Sequence, residues 1–178
     1  MSFIEESLSP VLMKKVVILA GPGGVGKTTI AELVEKECNY VLLDGDREDT
    51  EFFPDGGQWL SENSDKLGKA HDKILNKVKE LVRGGNKVVI DYIIFGRYLD
   101  FFGKFEDEFG DDLQIAVLFP EQNEIISRDK ERTCWTTGAD RIKAVYNEFE
   151  KIQDNIGRDK YIDTSGQSAK ETFNKYFK

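Results

Sequence analysis

Cysteine is nearly absent from this chain. Cys38 and Cys134 are the only two among 178 residues, too few for a disulfide framework or a metal cluster, and a reduced, cytoplasmic setting is the expectation. Histidine is rarer still: His71, the single one, stands in a helical stretch without a visible partner and reads as structural. Long apolar runs are missing too. No stretch nears the roughly 18 residues that span a bilayer, so no membrane partner is expected. Residues 1–15 carry their acids early and Lys14-Lys15 late, the reverse of a secretory signal. An excess of positive charge is likewise lacking: 25 Lys and Arg stand against 33 Asp and Glu, a net charge of −8, with the cations interspersed among the acids. Phosphate backbones are held by clustered cations, so no nucleic-acid partner is expected. What remains is an ordinary globular composition, 39% apolar with 12 Phe, long enough for one domain with a substantial core.

Gly21-Pro22-Gly23-Gly24-Val25-Gly26-Lys27-Thr28 fits G-x-x-x-x-G-K-[ST] and follows directly on the strand-like run Val16-Val17-Ile18-Leu19-Ala20. A helical pattern comes next, which is the context the motif requires. Glycines let the backbone turn tightly and aim successive N–H groups at an anion. The spacing predicts a cradle for a nucleoside triphosphate made by Gly21, Gly23, Gly24, Val25, Gly26, Lys27, Thr28 and Thr29. Lys27 would reach the β- and γ-phosphates, and the Thr28 hydroxyl would hold Mg²⁺. The start of the helix adds the positive end of its dipole.

From residue 15 onward the pattern alternates strand and helix. Short β-branched apolar runs predict strands at residues 15–20, 40–43, 87–90, 113–119 and 161–163. Helical spacing marks residues 28–37, 64–82, 97–109, 121–132 and 139–156, and Ser168-x-x-Glu171 is a capping box opening a terminal helix. Residues 47–58 read as a loop. The expected fold class is α/β, a five-stranded parallel sheet flanked by helices. Ligands in such sheets bind beyond the carboxyl ends of the strands.

Three carboxylates sit at those ends. Asp44 and Asp46 close the second strand on either side of Gly45, and strand alternation points both the same way. A phosphotransferase needs one carboxylate to orient Mg²⁺ and another to accept the proton of the attacking hydroxyl; this pair could supply both, and Asp91 after the third strand is a further candidate for the metal or the substrate. Arg128 and Arg132, four apart on a short helix, share a face. With Arg141 they could close over a bound triphosphate. For Arg97, substrate contact and a surface role weigh equally.

Taken together, Gly21 to Thr28, Asp44-Gly45-Asp46, Asp91 and the arginine helix resemble the small P-loop kinases of the nucleoside-monophosphate-kinase-like group. "LLDGD" is similar to gluconate kinases and adenylylsulfate kinases, and "RDKERTCWTTGADR" to the lid of chloramphenicol phosphotransferase-like proteins. The resemblance implies the P-loop nucleoside triphosphate hydrolase fold over residues 14–178, after a flexible segment at 1–13, with a short helical lid at about 121–141. It implies ATP and Mg²⁺ as cofactors, Lys27 on the transferred phosphate, Thr28 with Asp44 or Asp91 at the metal, and Asp44 or Asp46 as base. Arg128 and Arg132 would clamp the phosphates, and residues 164–167 would lie near the adenine. The family tends to carry a second lid arginine where this chain has Trp135. Between Asp46 and Lys66, where this fold places much of the acceptor pocket, Arg47 is the only basic residue, beside Glu48, Asp49, Glu51, Phe52, Phe53, Asp55 and Trp59. That composition points to a small, unphosphorylated metabolite or antibiotic as phosphate acceptor. A nucleoside monophosphate kinase, with Arg47, Arg97 and Arg141 converging, and a nucleotide-binding switch that transfers nothing are the alternatives.

Overall fold

The computed structural model describes residues 13–133 and 136–178. Most of the expected flexible segment 1–13 lies outside these, as do Cys134 and Trp135. In chain order come β1 (Val16–Ala20), α1 (Lys27–Cys38), β2 (Val41–Asp44), α2 (Gly45–Asp49), α3 (Ser64–Arg83), β3 (Val88–Asp91), α4 (Tyr98–Phe109), β4 (Leu113–Leu118), α5 (Gln122–Lys130), α6 (Ala139–Lys151), α7 (Gln153–Ile156), β5 (Tyr161–Ile162) and α8 (Ala169–Tyr176). The strands form one parallel sheet in the order β2-β3-β1-β4-β5.

Every residue of β1 is buried, as a strand covered on both faces must be. Its alternation divides two cores. Val16, Ile18 and Ala20 pack with Ile74 and Val78 of α3 and with Phe101 and Phe105 of α4. Val17 and Leu19 pack with Ile30 and Val34 of α1 and Phe173 of α8. Each such large apolar side chain contributes about 1.5–3 kcal/mol when removed from water. The capping box is present: the Ser168 hydroxyl accepts from the Glu171 N–H, and the Glu171 carboxylate accepts from the Ser168 N–H.

Two segments differ from expectation. Residues 45–49 are helical, because the Asp44 side chain accepts the Arg47 N–H at 3.1 Å and caps a turn where a loop was expected. The helix expected over 139–156 breaks at Ile152, and the second piece turns Ile156 into the core. The register sets the strand ends abreast, Asp44 beside Asp91 and Asp91 beside Leu19, so the loop after β1 and these two carboxylates share one edge of the sheet.

Candidate active site

The loop after β1 turns back on itself through Gly21, whose φ of +127° is a conformation L side chains rarely adopt, and where a Cβ would lie 2.4 Å from the Leu118 carbonyl oxygen. It enters α1 through Gly26, also left-handed at φ 96°. Lys27 folds back into the turn, 5% exposed, its Nζ donating to the Gly21 carbonyl at 3.0 Å and the Pro22 carbonyl at 2.8 Å. Burial lowers its pKa to about 8, with Asp91 and Asp46 opposing the shift and Arg132 adding to it. Thr28 and Thr29 stand exposed on the first turn. Val25 is different: its side chain is in the core, so only its backbone and part of its surface serve the loop.

The Thr28 hydroxyl donates to Asp91 Oδ2 at 2.6 Å. Burial raises the Asp91 pKa, while Thr28 and Lys27 pull the other way. Asp46 Oδ1 accepts the Ile93 N–H at 3.3 Å. Burial pushes its pKa up to about 7, against the pull of Lys27 and with help from the carboxylates of Asp91, Asp49 and Asp44. Asp44 and Asp46 do not point together. The strand ends at Asp44, and a helix turns about 100° per residue instead of alternating, so Asp44 faces solvent as a cap while Asp46 faces Lys27 and Asp91.

Beneath Asp46 lies a pair that the sequence did not disclose. Tyr92 donates its hydroxyl to Asp49 Oδ2 at 3.1 Å, and Gln58 Nε2 donates to Asp49 Oδ1 at 3.4 Å. Gly45 makes room for the phenol: a Cβ there would lie 2.4 Å from the Tyr92 ring. The end of β3 and the short helix carrying Asp46 are thereby pinned together. The only signal in the sequence was an aromatic residue directly after a strand-ending aspartate.

Helix α5 stops at Lys130, so Arg128 and Arg132 do not share the helical face their spacing suggested. Arg128 pairs with Glu124 and donates to the Gln167 carbonyl at 3.0 Å. It lines a cavity of about 210 Å³ with Gly24, Val25, Ile30, Thr164 and Gln167, which brings residues 164–167 beside the glycine loop. Arg132 lies past the helix end, Nη1 3.8 Å from Asp129 Oδ1, and its charge reaches Lys27. Asp129, 2% exposed, accepts the N–H groups of Thr137 at 2.8 Å and Gly138 at 3.0 Å. Burial works to raise its pKa, yet these donors hold it below the usual value. These bonds tie the segment entering α6 to α5, and Thr137 sits against Gly23.

On the other side of the glycine loop a cavity of about 470 Å³ is lined by Gly23, Thr137, Trp59, Ile93, Phe95 and Arg141, among others. Of the acceptor-pocket residues expected at 47–66, only Trp59 is among them. Glu48 pairs with Lys73 and Lys77, Phe53 is buried in a small separate core, and Asp49 holds Tyr92. Arg97 is spent elsewhere, donating to the Ser64 carbonyl at 3.1 Å and pairing with Asp100 at 3.2 Å. His71 is buried edge-on to Tyr92 and Phe101, and burial lowers its pKa to about 4, which keeps it neutral. Among the described residues no group of three or more His, Cys, Asp and Glu is arranged to hold a metal, and no helix is long and apolar enough to cross a membrane.

An AAA domain family model matches residues 16–97. Over 35 residues the chain is 54% identical to shikimate kinase of Hahella chejuensis (strain KCTC 2396), a segment covering 20% of this chain and 18% of that protein; the chain thus matches less than a fifth of that relative's length. Among solved structures, a sugar kinase from Janibacter sp. HTCC2649 superposes with a TM-score of 0.65 at 15% identity, covering 91% of each chain. A gluconokinase from Sinorhizobium meliloti 1021 does so with a TM-score of 0.59 at 16% identity, over 89% of this chain and 87% of that one. Glycine loop, strand order and these likenesses agree, and the chain has the fold of the small P-loop kinases.

Proposed function

We propose that this chain is an ATP-dependent phosphotransferase that moves the γ-phosphoryl group to a hydroxyl of a small unphosphorylated molecule, in the reducing cytoplasm that the free thiol of Cys38 suits. The observation that carries this reading is Asp46, a half-buried carboxyl held near pKa 7 beside Lys27 and Asp91. A general base works best when its pKa lies near the operating pH. Asp46 takes the proton of the acceptor hydroxyl as its oxygen bonds to the γ-phosphorus and the bond from that phosphorus to ADP breaks. Lys27 exchanges its two carbonyl partners for phosphate oxygens, and the amides of residues 21–28 hold the remainder.

The Thr28 hydroxyl and the Asp91 carboxylate, 2.6 Å apart, are hard oxygen donors of the kind Mg²⁺ takes from protein, one or two at a time alongside substrate phosphates. An ion held there would neutralise charge on the β- and γ-oxygens. Asp44, engaged as a helix cap, is left to contribute long-range charge. Arg128 stands beside the 210 Å³ cavity, which suits the nucleoside end of ATP, and Arg132 beside Lys27 suits the phosphates. The shikimate kinase match and the kinase fold are consistent with this assignment. A nucleoside monophosphate acceptor is disfavoured because Arg97 is tied to Ser64 and Asp100, away from the 470 Å³ cavity.

The test is Asp46→Asn in an assay that follows ADP release across a panel of alcohols. Turnover falls by about 10²–10⁴ while ATP affinity holds. Undiminished turnover, or a nucleoside monophosphate as the best acceptor, refutes the reading.

A further inference from the structure

The 470 Å³ cavity has walls unlike those of a polyol site. Trp59, 53% exposed, lines it. The Arg141 guanidinium carbon sits 4.2 Å from the Trp59 ring centroid and 5.5 Å from that of Phe95, and the two rings are 6.0 Å apart. A guanidinium held on ring faces keeps its in-plane N–H groups for a ligand oxygen, and among the described residues no ion pair engages Arg141. Ile93, Ile94 and Val145 supply an apolar wall. Tyr98 and Glu148, also lining it, satisfy one another through a 2.9 Å hydrogen bond. Thr137, held beside Asp129, borders the same space. The Ile93 N–H reaches Asp46, so the base stands at the cavity's edge.

These features select against two acceptor classes. An open-chain sugar acid would lay several hydroxyls on Ile93, Ile94 and Val145, each losing water for about 1–3 kcal/mol without a partner. A phosphorylated acceptor would bring two charges to one guanidinium in a space that the Glu148 carboxylate also lines. The volume falls within the roughly 300–1,000 Å³ of pockets that enclose drug-sized molecules.

Building on the phosphotransfer reading above, we propose that the acceptor is a ring-bearing, largely apolar alcohol whose ring packs on Ile93, Ile94 and Val145 and whose carbonyl or carboxylate oxygen is bound by Arg141 on its Trp59–Phe95 seat. Arg141 and Trp59 are thus the residues that determine acceptor specificity.

Four probes separate the contributions: mandelate (ring, hydroxyl, carboxylate), mandelamide (ring, hydroxyl, neutral carbonyl), 1-phenyl-1,2-ethanediol (ring and hydroxyls only) and gluconate (carboxylate and hydroxyls, no ring). Phosphate transfer from ATP with Mg²⁺ is measured for each, together with the melting shift each produces beside a non-hydrolysable ATP analogue. Mandelate or mandelamide is expected to give the highest kcat/KM, and the better of the two identifies the charge of the oxygen. Arg141→Gln should raise its KM at least tenfold and that of the diol less than twofold; Trp59→Ala should raise it several-fold by unseating Arg141. Transfer to gluconate above every ring compound, or an Arg141→Gln enzyme with the ranking unchanged, overturns the acceptor class and leaves phosphotransfer standing. Transfer to none of the four, with no melting shift from any, overturns the acceptor class, while phosphotransfer itself is decided by the Asp46→Asn assay.

Discussion

Replacing Asp46 by asparagine should make the protein more stable as well as inactive. Burial lifts the carboxyl from its ordinary 3.8 to about 7, so the folded state resists its ionisation. That resistance costs nothing below the unfolded pKa, grows as the pH rises toward 7, and is constant above it. About three pKa units at about 1.4 kcal/mol each set an upper bound of about 4 kcal/mol. Solvent reaches part of this carboxylate, which reduces the figure by roughly half, to about 2 kcal/mol. In a chain of this size that is a rise of about 4–8 °C in Tm. Asparagine keeps the shape and the oxygen that accepts the Ile93 N–H, so the charge is the main thing removed. Calorimetric melts of parent and variant at pH 8 and pH 5 are the assay: the variant gains at pH 8, and the gain shrinks to less than half at pH 5. A variant melting below its parent at pH 8, or gaining equally at both pH values, refutes the assignment of a charge strained by burial. Lost turnover with gained stability is the signature of a functional group held at a structural cost.

Three further outcomes follow from the same geometry. The pH profile of kcat/KM should rise tenfold per unit to about 7 as Asp46 ionises, and fall above about 8 as Lys27 loses its proton; a flat profile from pH 5 to 9 contradicts both roles. Gly45→Ala drives a methyl to 2.4 Å from the Tyr92 ring and should cost about 1–3 kcal/mol in urea unfolding, with turnover falling as Asp46 shifts; wild-type stability would show the ring is not wedged there. Asp129→Ala strips the Thr137 and Gly138 amides of their acceptor. These should then exchange with deuterium faster while KM for ATP rises several-fold, and unchanged exchange would deny Asp129 its hold on the lid.

The sheet was legible because strands buried on both faces are written as apolar runs, Val16 to Ala20 being the plainest, each stopped by glycine, aspartate or proline. The glycine loop was legible because backbone amides need a fixed spacing to converge on an anion. Helix α2 was not: five residues, three of them acidic, carry no hydrophobic period, and it forms because Asp44 caps it. Nor was the Tyr92–Asp49 bond, which joins residues 43 apart through a register visible only once β2 and β3 pair. Arg128 and Arg132 were expected to clamp the phosphates from one helical face, but a helix that ends two residues earlier than expected sends them to different neighbours. The 470 Å³ cavity was half seen. Trp59 was read from composition and Arg141 was singled out for a different task, whereas Ile93 and Phe95 lie between two elements in a stretch with no pattern of its own.

The phenol of Tyr92 wedged beneath Gly45 has a hereditary consequence. Neither position can change alone: a side chain at 45 collides with the ring, and a shorter residue at 92 leaves a void and a carboxylate at 49 short of a donor. Related chains should therefore inherit glycine and tyrosine as a unit or exchange both together, and a double replacement should be tolerated better than the sum of its halves.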